Sequence, residues 1–453
     1  MFDKILIANR GEIALRIART CREMGVRTVV VHSTADRSSA AVRYADETVQ
    51  VGPPPPGRSY MYAPSVIEAA LRTGAEAIHP GYGFLSEDPD FARACAAEGL
   101  TLIGPSPSTM ELVGDKARVR AALAAAGLPV LPGSDGAVAG AAEALEVAAA
   151  VGYPVLVKAV AGGGGRGIAV ARDDPELRRV YRETTAFART AFGNGDVYLE
   201  RLLPSARHVE VQLLCDAHGT FLHLGERDCS LQRRRQKLIE EAPAPALPPG
   251  LADRIGAYAV TAAQALDYRG LGTVEFLVDG SGDPTFMEVN GRIQVEHPVT
   301  ELVTGLDLVR EQIRVAAGER LALAQHDVRP RGWAIECRVN AEDPDAGFRP
   351  APGGLTTFRP PGGPWTRVDA GFAQGDRVPP NYDSLLAKVI VWAPDRDQAI
   401  ARADRALAEF GIEGPGVATT IPLLRRLLSD PDFRAARHDT THVDGLLARS
   451  PSP

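Results

Sequence analysis

From Met287 to Glu296 polar and apolar residues alternate. Met287, Val289, Ile293 and Val295 are apolar, and Glu288, Asn290, Arg292, Gln294 and Glu296 stand on every second position. Successive side chains of an extended chain point to opposite faces. The stretch therefore predicts a strand with one apolar face and, on the other, a row of carboxylate, amide, guanidinium, amide and carboxylate. A merely solvated face usually carries Thr, Ser and Lys. This ordered set can hold a metal, grip an anion and offer a general base. Just upstream, residues 272–278 predict a second strand, and Asp279-Gly280-Ser281-Gly282-Asp283-Pro284 is turn chemistry. A hairpin centred between Ser281 and Gly282 puts Glu275 opposite Glu288, where like charges repel. With the Asn290 amide oxygen, these are hard ligands suited to Mg²⁺ or Mn²⁺ held jointly with nucleotide phosphates.

The rest of the chain mixes the helical and strand periods. Residues 5–8 predict a strand, 12–24 a helix closed by Gly25, and 28–32 a second strand. This is a βαβ opening of Rossmann-like type. Its first turn has only Gly11, so a dinucleotide is not expected there. Ser106-Pro107 opens a short helix and Asp115 caps the next, which leaves Lys116 in a first turn. A cation there opposes the helix dipole, which favours a ligand role. The apolar run Val155-Leu156-Val157 leads into Lys158 and then Gly162-Gly163-Gly164-Gly165-Arg166-Gly167. Strand, lysine and glycine loop suit a phosphate cradle, although no P-loop Gly-Lys-Ser/Thr follows. Residues 333–340 alternate as a strand carrying Arg338, whose polar face could simply be wet. Residues 344–364, rich in Pro and Gly, open a region of short strands, and 396–410 predict a helix.

Composition narrows the choices. A chain of 453 residues holds two or three domains. A net charge of −7 disfavours nucleic acid as a partner. No apolar run reaches membrane-spanning length, and the start of the chain lacks a signal-peptide layout. The five cysteines are odd in number and lack metal spacing, which points to a reducing, cytoplasmic compartment. Lysine is scarce: only Lys4, Lys116, Lys158, Lys237 and Lys388 occur, and the other 45 of 50 basic residues are arginine. Where arginine is accepted so widely, a surviving lysine marks a place for a compact ammonium. Lys237 closes the cationic run Gln232-Arg233-Arg234-Arg235-Gln236-Lys237, an anion-site candidate in an acidic chain.

These segments carry a resemblance. Lys158 with its glycine loop, Glu200 with His208, the run from Arg227-Asp228-Cys229 to Lys237, and Glu288-Val289-Asn290-Gly291-Arg292-Ile293-Gln294-Val295-Glu296-His297-Pro298 are similar to biotin carboxylases of the ATP-grasp superfamily. The likeness begins at Lys4, continues through His79-Pro80-Gly81-Tyr82-Gly83 and ends near Lys388, so it covers nearly the whole chain. It implies an α/β protein with three parts: a Rossmann-like N-terminal domain over residues 1–113, an ATP-grasp domain over 114–330 with a lid at about 131–203, and an α+β C-terminal domain over 331–446.

The resemblance also implies roles. ATP would activate bicarbonate as carboxyphosphate, which carboxylates the N1′ nitrogen of biotin. Lys116, Lys158, Gly164, Gly165, Glu200, Arg201, Leu203, His208, Arg235, Glu275, Leu277 and Glu288 would contact ATP. Glu275, Glu288 and Asn290 would hold Mg²⁺ or Mn²⁺. Lys237, Arg292, Gln294 and the Val295 backbone would position bicarbonate, and Glu296 would deprotonate it. Arg338 would stabilise the biotin enolate, and Tyr82 and Gly83 would line the biotin pocket. Arg235 stands where the family often has His. None of the five methionines flanks a lysine, so no biotinyl lysine is present. The expected partners are a biotin carboxyl carrier, on another polypeptide or on a part of this one outside the sequence, a carboxyltransferase and a second copy of the chain. An acyl-CoA is the expected final acceptor, with pyruvate and urea as others that share this component. Two rivals are another ATP-grasp carboxylate or carbamate ligase and a non-catalytic nucleotide-binding scaffold. Dependence on free biotin separates the first, and measurable turnover excludes the second.

Overall fold

The structure, a computed structural model, describes residues 1–161 and 167–449. Gly164 and Gly165 lie outside the described residues.

The chain opens on a parallel sheet. Its strands run in the order Glu47–Gly52, Arg27–Ser33, Lys4–Ile7, Ala77–His79, Thr101–Leu102. Parallel strands are covered on both faces and read as continuous apolar runs. Here Ile5 and Ile7 enter one core with the helix Gly11–Glu23, while Leu6 and Ala8 enter another with the helix Ala63–Thr73. Strand order reverses between Lys4–Ile7 and Ala77–His79. At such a reversal the loops that follow the two strands diverge and leave a crevice. Asn9 and the turn at Gly81-Tyr82-Gly83 sit there. Gly81 has φ +63, and a Cβ on it would lie 2.8 Å from Asn9 Nδ2.

The centre is one antiparallel sheet of eight strands. Their order is Pro284–Asn290, Gly270–Val278, Arg207–Cys215, Phe221–Arg233, Gln236–Ala242, Trp333–Asn340, Leu385–Ala393, Thr366–Ala370. Alternation sorts each strand between two faces. Val209, Val211 and Leu213 join Val274 and Phe276 in an apolar core, which leaves His208, Glu210, Gln212, Thr273 and Glu275 on the opposite face. Farther along, Ile335, Cys337, Val389 and Val391 face the C-terminal core with the helices Arg396–Glu409 and Ile421–Ser429. Glu336, Arg338 and Lys388 face the other way. That side is not wet: Glu336 and Lys388 are fully buried, beneath the helix His297–Thr304. A third sheet, ordered Ile168–Ala171, Val155–Ala159, Val197–Arg201, carries Lys158 and Glu200 with its own small core.

Two expectations change in detail. The alternation from Met287 predicts a strand as far as Glu296, but the strand ends at Asn290. The Gly291 N–H leaves the ladder and donates to Glu87 Oε1 at 3.1 Å. Glu296 is already the N-cap of the helix His297–Thr304, which has Pro298 in its first turn. The hairpin is also not centred as expected. Glu275 does oppose Glu288, but the register slips beyond that pair so that Phe276 meets Phe286. Met287 is the extra residue of a bulge, and the turn centres on Ser281. Among the described residues no helix is long and apolar enough to cross a membrane. All five cysteines are buried and unpaired.

Candidate active site

Four strands bring charge together by register alone. Glu288 opposes Glu275, Glu275 opposes Glu210, and Glu210 opposes Arg227. Three carboxylates therefore stand side by side across adjacent strands. Directly opposed like charges are destabilising, and burial makes the cost larger. The structure meets that cost with cations. Lys237 Nζ lies 2.6 Å from Glu210 Oε2, 2.6 Å from Glu296 Oε1 and 3.2 Å from Glu275 Oε1. Arg227 is fully buried and donates through Nε to Glu210 Oε1 at 2.7 Å. Its remaining nitrogens reach Gln212 at 2.8 Å, Thr300 at 2.9 Å and Thr273 at 3.3 Å.

Glu275 gathers further partners. Its Oε1 also accepts from Asn290 Nδ2 at 2.8 Å and from Gln294 Nε2 at 3.0 Å, and its Oε2 lies 2.8 Å from His208 Nε2. Burial pushes this carboxyl up, but Lys237 and His208 outweigh burial and hold it well below the usual range. The imidazole responds in kind: burial lowers His208, and Glu275 more than restores it. Glu296 sits between two cations, Lys237 on Oε1 and Arg338 at 2.9 Å from Oε2. Burial raises it, and Lys237, Arg338 and Arg227 together hold it well below an ordinary carboxylate. Arg338 also grips Glu240. Lys237 keeps its proton because the surrounding acidic groups overcome the burial that would remove it.

A second group rings this floor. Lys116, in the first turn of the helix Lys116–Ala125, reaches Glu288 Oε2 at 3.0 Å. Burial raises Glu288, but Lys116 lowers it further. Lys158 pairs with Glu200 at 2.7 Å, and both are buried rather than on the surface. Arg292 pairs with Glu87 at 3.0 Å and donates to the Asn290 amide oxygen at 3.1 Å. Leu277 opposes His208 across the strands. Arg201 ends its strand exposed, with Leu203 half-buried two residues on. Arg235 sits in the tight turn between Phe221–Arg233 and Gln236–Ala242 with φ 66. Tyr82 and Gly83 lie across the crevice of the N-terminal sheet.

The donor set fits a divalent cation. Glu275 and Glu288 are ionised, face each other across paired strands, and are flanked by the Asn290 amide. Ionised carboxylates with an amide oxygen are the ligands that hard cations take.

Several residues of this constellation were not given a role from the sequence: Glu210, Arg227, Glu240 and Glu87. A signal for two of them was present. His208-Val209-Glu210-Val211-Gln212 repeats the polar alternation of residues 288–296, and Arg227 opens the cationic motif.

Comparison with known proteins sets this geometry in a family. Over 445 residues the chain is 53% identical to a biotin carboxylase from Nostoc sp. (strain PCC 7120 / SAG 25.82 / UTEX 2576), covering 98% of this chain and 99% of that one. The chain belongs to the biotin carboxylase family. Biotin carboxylases are ATP-dependent ligases, and the chain is an enzyme of that class. Three family models match in order: "Biotin carboxylase, N-terminal domain" on residues 1–110, "Carbamoyl-phosphate synthase L chain, ATP binding domain" on 115–324, and "Biotin carboxylase C-terminal domain" on 336–445. The biotin carboxylase domain dimer of 2-oxoglutarate carboxylase from Hydrogenobacter thermophilus superposes with a TM-score of 0.95 at 47% identity, covering 98% of each chain. That crystal holds MgADP, ADP and bicarbonate. The pyruvate carboxylase of Rhizobium etli superposes with a TM-score of 0.95 at 43% identity, over 100% of this chain and 41% of its own longer one. Biotin carboxylation is thus the shared chemistry, and the relatives differ in what finally receives the carboxyl group.

Proposed function

We propose that the chain carboxylates biotin borne on a carrier protein or domain, using ATP and bicarbonate by way of carboxyphosphate. The observation that carries this reading is Glu296 suspended between Lys237 and Arg338 at the end of the carboxylate row. Bicarbonate is a poor nucleophile until it loses its proton. A base within hydrogen-bond reach is therefore required. Lys237, Arg292 and Gln294 converge with the Val295 backbone beside Glu296 and provide the anion with cationic and amide donors. As bicarbonate takes over Lys237, Glu296 loses a cation and becomes a stronger base. The site thus strengthens its base as the substrate arrives.

The deprotonated bicarbonate oxygen then attacks the γ-phosphorus of ATP, and ADP leaves. Lys116, Lys158, Glu200, Arg201, Leu203, His208, Arg235 and Leu277 surround the nucleotide in this reading, and Gly164 and Gly165 complete the cradle. Phosphoryl transfer depends on fixed positive charge more than on covalent help. Mg²⁺ or Mn²⁺ held by Glu275, Glu288 and Asn290 would supply such charge at the phosphates. Carboxyphosphate delivers its carboxyl group to N1′ of a biotin lodged by Tyr82 and Gly83, and the phosphate that leaves takes up the N1′ proton. Arg338 steadies the enolate form of the ureido ring, as a preorganised cation does for any developing oxyanion.

The three-part division at about residues 113 and 330, with a lid near 131–203, belongs to the same reading. So do a homodimer, a carrier and a carboxyltransferase as partners, and a cytoplasmic setting suited to five buried thiols. An acyl-CoA is our assignment for the acceptor. Recovery of the carboxyltransferase that co-purifies with the chain tests it. For the half-reaction itself, purified protein should hydrolyse ATP slowly, only with bicarbonate and Mg²⁺, and faster with free biotin. Equal hydrolysis in bicarbonate-depleted buffer would overturn bicarbonate activation.

A further inference from the structure

Lys388, like Lys4, is a surviving lysine for which the half-reaction has no use. It lies in the strand Leu385–Ala393 and is fully buried. Its register partner on one side is Arg338, a like charge, and on the other Asp369. A buried ammonium persists only where its partners repay desolvation. Lys388 Nζ donates to the Val295 carbonyl oxygen at 2.8 Å and lies 3.0 Å from Glu12 Oε1. Glu12 stands in the first turn of the helix Gly11–Glu23, where the dipole favours a carboxylate. The same Glu12 Oε1 accepts from the Tyr82 hydroxyl at 2.5 Å. Tyr82 is held from behind, because its carbonyl accepts from Asn9 Nδ2 at 2.8 Å. Four segments far apart in sequence are thus joined by two shared atoms.

Building on the reading above, we propose that Lys388 and Glu12 are positioning residues that couple the biotin-binding turn at Tyr82 to the bicarbonate-binding backbone at Val295. The sharing gives the mechanism. Glu12 Oε1 divides itself between the Tyr82 hydroxyl and Lys388, and Lys388 divides itself between Glu12 and Val295. Glu12 Oε2 is buried with no partner to fall back on. When biotin draws the Tyr82 hydroxyl away, Glu12 loses its other donor and leans on Lys388. Lys388 then releases or re-aims the Val295 carbonyl, next to Glu296. Coupling of this kind is reciprocal, so bicarbonate must alter biotin affinity by the same factor. It also explains the residue type. A flat arginine fork cannot occupy a fully buried point between one carboxylate oxygen and one carbonyl.

The test uses the double variant Glu12→Gln/Lys388→Met, which removes both charges together so that neither is left buried without the other. ATP hydrolysis is measured over bicarbonate concentration, with and without saturating free biotin, beside a melting curve. The wild type should show a KM for bicarbonate that biotin shifts by about fivefold or more, the low end for coupled sites. The double variant should retain measurable bicarbonate-dependent hydrolysis, and its KM for bicarbonate should no longer respond to biotin. Tyr82→Phe, which removes only the hydroxyl, should also lose the response. A wild type whose KM ignores biotin, or variants that keep the wild-type shift, would overturn the coupling. Absence of any bicarbonate-dependent hydrolysis in the wild type is a different result, and it sinks the functional reading itself.

Discussion

The floor of the site and the small three-stranded sheet above it hold their charges in opposite ways. Around Lys237 on the floor each ion has several partners: Glu275 has four donors or cations, and Lys237 has three carboxylates. On the small sheet Lys158 and Glu200 have chiefly each other, at 2.7 Å, with Arg120 3.9 Å away. The floor is therefore set before any ligand comes, and removing one of its members leaves others buried and uncompensated. The upper pair has donors to spare for a phosphate. Partner counts therefore separate charges whose loss also unsettles the fold from charges whose loss touches chiefly the ligand.

The sharpest way to break this comparison is at Glu296 and Glu288. Glu296→Gln should cut bicarbonate-dependent ATP hydrolysis by about 10³-fold, within the range for loss of a general base, yet bind MgATP almost normally. Glu288→Gln should weaken MgATP binding itself. Calorimetry on both variants decides, and equal loss of binding would show that base and metal ligand are not separate.

Next come the lysines. Lys237→Arg and Lys158→Arg should each lower turnover by about a hundredfold, roughly 2.7 kcal/mol in the barrier. Only the floor variant should also melt early, by about 3 kcal/mol of lost stability, because a fork cannot serve three buried carboxylates at once. Similar melting temperatures for the two would erase the distinction between floor and upper sheet.

A third test reads the floor's far end. Glu240 directly opposes Glu336 on the next strand, and both Glu336 oxygens are buried without a partner. Burial pushes Glu240 up from 4.5 to about 7, with Glu296 adding to the rise and Arg338 opposing it. Burial pushes Glu336 well up too. A raised carboxyl favours the folded state below its unfolded value, and that advantage is lost as pH rises through the folded one. Stability should therefore decline between about pH 4.5 and pH 7. Glu275 and Glu296, held low, act with the opposite sign and lose their contribution only as pH falls below 4.5. Glu336→Gln should flatten the decline by about 1–2 kcal/mol. Chemical denaturation at several pH values measures it, and an unchanged slope would count against the pair.

The smallest effect belongs to the surface of the upper unit. Arg179 and Glu183 pair at 2.8 Å on the exposed face of the helix Asp174–Phe192. Arg179→Ala should cost under about 0.5 kcal/mol and leave turnover alone. A larger loss would mean that partner counting undervalues exposed pairs.

Much of this was legible in the sequence, and for stated reasons. Alternation announced the polar row, and the opposition of Glu275 and Glu288 survived an undetected bulge because Met287 absorbs the slip on the turn side of the pair. The row from Arg292 to Glu296 was recognised even though it is not strand. Ile293 is buried in the N-terminal core and pins that segment against the site. What stayed hidden were partners set by register between distant strands. Nothing local to Glu210, Glu240 or Lys388 says which residues lie across from them.

The eight-stranded sheet has one more consequence. Residues 115–324 and 336–445 match separate family models, yet Gln236–Ala242 and Trp333–Asn340 are hydrogen-bonded neighbours in the same sheet. The seam visible to a genome is not a seam in the fold. Cutting the gene near residue 330 would leave two raw strand edges, each a template for pairing with whatever chain comes by. Fusion partners and splits should be tolerated at the chain's ends and punished at that internal join, so the two units inherit each other's history.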